Sequence, residues 1–123
     1  MAKALDLDKF EPKDASELYK GILQQVSAVL ISHFNEVKNE IAVHIKSIAQ
    51  KAWLTQAGLK SGMISREHAD MAMHTQELAL SSVLLYSEFL VYDTVQTVLN
   101  AVFGVIGAAI RNLTGFDLAF GRS

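Results

Sequence analysis

The stretch that decides the fold is Thr94-Val-Gln-Thr-Val-Leu-Asn-Ala-Val-Phe-Gly-Val-Ile-Gly-Ala-Ala-Ile110, which carries no charge of either sign. The absence of bases reaches further, because no lysine or arginine occurs between Glu67 and Ile110. Apolar surface on this scale has to be covered by protein or by lipid. No proline and no glycine falls between Gly62 and Gly104, so a long helix is allowed throughout. Within it Asp93, Gln96, Asn100, Gly104, Gly107, Arg111 and Thr114 step by three or four. At about 100° per residue these positions form one narrow polar or small stripe on an otherwise apolar cylinder.

Composition bounds the classes of function. The chain has 123 residues, the length of a single domain. Half of the residues are hydrophobic, and the mean hydropathy is +0.23. The formal net charge of −2 argues against general affinity for nucleic acid, and no aromatic-plus-basic patch is evident. Charge is segregated: of eleven Lys/Arg only Arg111 and Arg122 follow Arg66, while Glu67, Asp70, Glu77, Glu88 and Asp93 are acids in the base-free run. The absence of cysteine excludes disulfides and thiolate chemistry. Residues 1–14 lack the apolar core of a signal peptide, so synthesis and initial retention in the cytoplasm are expected.

Residues 1–13 read as an N-terminal tail closed by Pro12. Asp14 and Glu17 match a capping box, which predicts a helix from residue 15. Leu23, Val26, Leu30, Phe34, Val37, Ile41, Ile45, Ile48 and Ala52 then form one apolar stripe recurring every eleven residues. The first helix is thus expected over 15–57, with Gly58 as its C-terminal stop. Ser65 is a suitable N-cap for a second helix over 65–113, ended by Gly115. In the tail, residues 115–123, Phe116, Leu118 and Phe120 alternate, which fits extended docking or a folded-back tail.

The fold class expected is all-α: a long antiparallel helical hairpin assembling into an oligomeric helical bundle. A hairpin buries one stripe per helix, whereas the second helix is apolar nearly all round. Further copies, another protein or lipid are therefore expected to cover it, through an oligomer or membrane interface comprising Phe89, Asp93, Gln96, Asn100, Phe103, Gly104, Gly107, Ile110 and Arg111. Three readings of the stripe compete. It faces water while the rest of the helix packs in a multimer; or Gly104 and Gly107 permit close helix contact; or residues 94–110 enter a membrane and the stripe lines a pore. Seventeen uncharged residues lie at the lower limit for a span, and Glu88 and Asp93 oppose extension.

Chemistry is sparse. Glu40, His44, His74 and Glu77 are weak metal candidates, since a turn near residue 61 would bring them within reach of one another. No Glu-x-x-His motif occurs on either helix, and no nucleophile elbow or phosphate-binding glycine loop is found. His33 and His44 read as packed histidines at the edge of the apolar stripe, Met63, Met71 and Met73 as adaptable packing, Trp53 as packing near the loop. The sequence points to a non-enzymatic structural subunit without a cofactor or small-molecule substrate: a virion component, a filament, or a secretion or ejection conduit. The alternatives are an oligomeric membrane pore and a dimeric metal-binding four-helix bundle.

Overall fold

The structure, a computed structural model, describes residues 5–30, 34–85 and 92–118, without the side chains of Glu36, Val37, Glu40, Tyr92 and Asp93. It is all-helical over those residues, with no strand among them. A single 3-10 turn, Leu7–Lys9, precedes four α-helices: α1 (Ala15–Leu30), α2 (Phe34–Ser61), α3 (Arg66–Leu85) and α4 (Tyr92–Thr114).

Local chemistry sets several helix ends. The Asp14 carboxylate accepts from the Glu17 amide at 2.8 Å, and Glu17 reaches back to the Lys13 amide at 3.1 Å. Ser65 Oγ accepts from the His68 amide at 3.1 Å and starts α3. The end of α2 differs from the expected stop at Gly58, which lies inside the helix. Gly62 takes the left-handed conformation (φ 78°) instead. Its amide donates to Leu59 O and the Met63 amide to Gly58 O, the paired bonds of a Schellman motif. Gly115 ends α4 as expected, with φ 81° and its amide on Arg111 O.

Two long continuous helices are not what the chain forms. Tyr19 and Lys46 would lie about 40 Å apart on one straight helix, yet both line a single groove with Ala15, Ser16, Lys20 and Gln50. The first predicted helix is therefore two, α1 and α2, packed side by side. The second is also two, for α3 and α4 contact each other, which the ends of one straight helix interrupted at 86–91 could not do. Neither break is marked by glycine or proline. The physical reason is burial: one neighbour leaves most of α4 wet, whereas folding the chain twice more surrounds it.

Contacts define the arrangement. α1 packs on α2 and α4, α3 packs on α2 and α4, and α2 also touches α4. The 3-10 turn docks on α4. The core takes Leu18, Ile22, Val26 and Leu30 from α1, and Ile41, Ile45, Ile48 and Ala52 from α2. Ala69, Met73, Leu80 and Leu84 of α3 complete it around α4. In α1 the buried row runs in steps of four through Leu18 and Ile22, so Leu23 is only partly buried.

The N-terminal segment is not a free tail over its described part. Asn112 Nδ2 donates to Leu7 O at 2.9 Å and Phe10 O at 2.8 Å. The Leu5 amide donates to Gln25 Oε1 at 2.9 Å. Phe10 covers Gly21, where a Cβ would overlap its ring. At the other end Leu118 is buried in the core while Phe116 is partly exposed.

Candidate functional site

The apolar surface of α4 is satisfied within one chain. Val95, Val98, Val102, Phe103, Val105, Ile106 and Ile110 are all buried. Three helices and the docked N-terminal turn supply the cover that was expected from further copies, which corrects the inference that intermolecular burial is needed. Phe103 and Ile110 accordingly belong to the chain's own core rather than to a free interface. The stripe faces outward: Gln96, Asn100, Gly104 and Arg111 are exposed, and Gly107 and Thr114 are partly buried. A Cβ at Gly104 would meet nothing within 4 Å, so no described helix approaches there. Arg111 Nη2 lies 3.6 Å from Asp8 Oδ1, an exposed pair of small energetic weight. Phe89 and the Asp93 side chain lie outside the described residues.

α4 is also the one described helix long and apolar enough to cross a membrane, over Thr94–Thr114. In this fold 61% of its most apolar window is buried inside the protein.

Of the weak metal candidates, His44, His74 and Glu77 have described side chains. His74 Nδ1 lies 3.3 Å from Glu77 Oε1 on α3. His44 lines the α2–α3 groove with Ser47, Lys51, Gln76 and Val83, and is exposed rather than packed. The Glu40 side chain and His33 are outside the described residues. Among the described residues no group of three or more His, Asp or Glu is placed to hold a metal ion.

Two grooves lined by described residues are small. The one between α1 and α2 encloses about 220 Å³ and the one between α2 and α3 about 130 Å³, below the range of about 300–1,000 Å³ common for ligand pockets. His44 and Ser47, one turn apart on α2, both line the second groove.

What stands out is large apolar side chains on the outer surface of α2 and α3. Val43 and Leu54 on α2 are each 71% exposed; Met71, Leu78 and Leu85 on α3 are 72%, 57% and 55% exposed. Met63, in the α2–α3 turn, is exposed too, so of the three clustered methionines only Met73 packs in the core. The three on α3 are spaced by seven residues, which puts them on one line about 21 Å long. Sequence pattern alone did not single them out, because periodicity does not say which apolar row of a helix faces inward. No protein family matches the chain, and no curated protein or solved structure matches it.

Proposed function

We propose that the protein is a non-enzymatic building block of a multi-copy helical assembly, such as a virion component, a filament, or a secretion or ejection conduit. The observation that carries this reading is the row of exposed Met71, Leu78 and Leu85, with Val43 and Leu54 beside it, on a chain whose core is already closed. Exposed apolar patches on a compact domain mark surfaces that bind protein or lipid. The association surface is thus the outer side of α2 and α3, not α4. Residues 15–20 beside residues 46–50, and residues 44–51 beside residues 76–83, support an antiparallel, up-and-down course of the helices. Sedimentation equilibrium tests the reading: a mass well above 13.5 kDa at micromolar concentration is expected, and a stable monomer there would sink it.

A second reading rests on Thr94–Thr114. In it the bundle opens and α4 inserts in a lipid bilayer as an oligomer, with Gln96, Asn100 and Gly104 facing an aqueous lumen. Opening has to expose the buried side of α4, so insertion would be conditional. Dye release from anionic liposomes, with flotation of the protein, checks it; no lipid binding between pH 4 and pH 8 rules it out.

A further inference from the structure

We infer that the outer face of α2 and α3 pairs with the same face of a second copy, α2 of each lying on α3 of the other about a twofold axis parallel to the helices. The inference rests on the assembly reading above and names the interface.

Both helices carry the same outward pattern. On α3 it is Met71, Thr75, Leu78, Ser82 and Leu85; on α2 it is Val43, Ser47, Gln50, Leu54 and Ala57. Each row steps four, three, four, three, and every member is exposed. That alternation keeps one stripe turned to a partner helix. Two such rows side by side on one surface make a two-helix layer rather than a lone seam.

Charge selects the pairing. From Ile41 to Ser61, α2 holds Lys46, Lys51 and Lys60 and no acid. After Arg66 at its first position, α3 holds Glu67, Asp70 and Glu77 and no further lysine or arginine. Laying α3 on α3 would oppose acids, and α2 on α2 would oppose lysines. Laying α2 on α3 opposes lysines to acids, and closes both rows at once in a self-complementary contact.

Register agrees with this choice. One groove is lined by residues 44–51 of α2 and 76–83 of α3, and the turn joins Ser61 to Arg66, so an antiparallel register places residues whose numbers sum to about 127 at equal height. An axis parallel to the helices preserves height. Leu54 then meets the second copy's Met71 within a turn, and Val43 meets the second copy's Leu85. The second copy's Leu78 lies between Ser47 and Gln50, and Lys60 falls level with the second copy's Glu67. Such a pair is closed, so a larger assembly would grow from it through another surface.

The test is sedimentation equilibrium of the full chain and its variants, with helicity and thermal unfolding followed by circular dichroism. The wild type is expected as a species of twice 13.5 kDa. Leu78→Glu, at an exposed position, keeps the helicity and raises the dimer Kd at least about 100-fold. Lys60→Glu and Glu67→Lys each weaken pairing by about tenfold, and the double variant regains most of the loss. A monomeric wild type overturns both this inference and the assembly reading. An oligomer indifferent to Leu78→Glu, or a double variant no better than either single one, overturns this interface and leaves the assembly reading standing.

Discussion

The ring of Phe10 fills the space above Gly21, where a Cβ would overlap it, with Phe10 Cε1 only 2.8 Å away. Two opposed effects meet at this position. Alanine is favoured over glycine inside a helix by about 1 kcal/mol, whereas forcing a methyl into an occupied site costs about 1–3 kcal/mol. Gly21→Ala is therefore expected to destabilise the protein by about 1 kcal/mol in urea unfolding. In a Phe10→Ala background the same change is expected to stabilise by about 0.5–1 kcal/mol. Stabilisation in both backgrounds would show that the ring is not seated there.

Asn112 holds the same segment by its carbonyls. Asn112→Ala removes the donor to Leu7 O and Phe10 O, at a cost of about 1–3 kcal/mol. The distinctive readout is local. Amides of residues 5–13 should exchange much faster while those of α2 and α3 are nearly unchanged, and equal loss of protection everywhere would refute a local clasp.

Gln56 is only 6% exposed, and its Oε1 has no hydrogen-bond partner among the described residues. Leaving a buried carbonyl unpaired costs about 1–3 kcal/mol. Gln56→Met keeps the length of the side chain and removes the orphan oxygen. The midpoint of urea unfolding should rise, corresponding to about 1 kcal/mol, at constant m-value. A fall in midpoint would mean that the carbonyl has a partner in solution.

The two sides of α4 should respond differently. Ile106 is wholly buried, so Ile106→Ala should cost about 2–5 kcal/mol. Gln96 and Asn100 are exposed, and their replacement by alanine should stay within about 0.5 kcal/mol. These values should hold for the monomer, at dilutions where no association is measured. If Ile106→Ala were silent in the monomer, α4 would be covered only on assembly.

Local rules could be read from the chain because the interacting groups are neighbours in it. Asp14 with Glu17, Ser65 and Gly115 each mark a helix end through bonds spanning a few residues. Residues 31–33 and 86–91, which separate α1 from α2 and α3 from α4, contain no glycine or proline. Packing of α1 on α2 and of α3 on α4 is a tertiary effect that helical preference along the chain does not reveal. With only one partner helix counted, the wide apolar surface of α4 looked unsatisfiable inside one molecule. The actual candidate surface was hidden for a related reason. Met71 and Met73 are two residues apart in the same run, yet one is exposed and the other buried. Only the packing partners of α3 distinguish them. The contact of Asn112 with Leu7 joins groups 105 residues apart and leaves no local signal.

That last contact sets an order of events during synthesis. A chain elongating at about 5–20 residues per second exposes Leu7 many seconds before Asn112 exists. Until then the carbonyls of Leu7 and Phe10 lack the side chain that holds them, and α4 is still incomplete. Completion of the fold is thereby tied to completion of α4. A ribosome stalled before residue 112 would hold an open, apolar intermediate, which is the kind of species chaperones and proteases recognise.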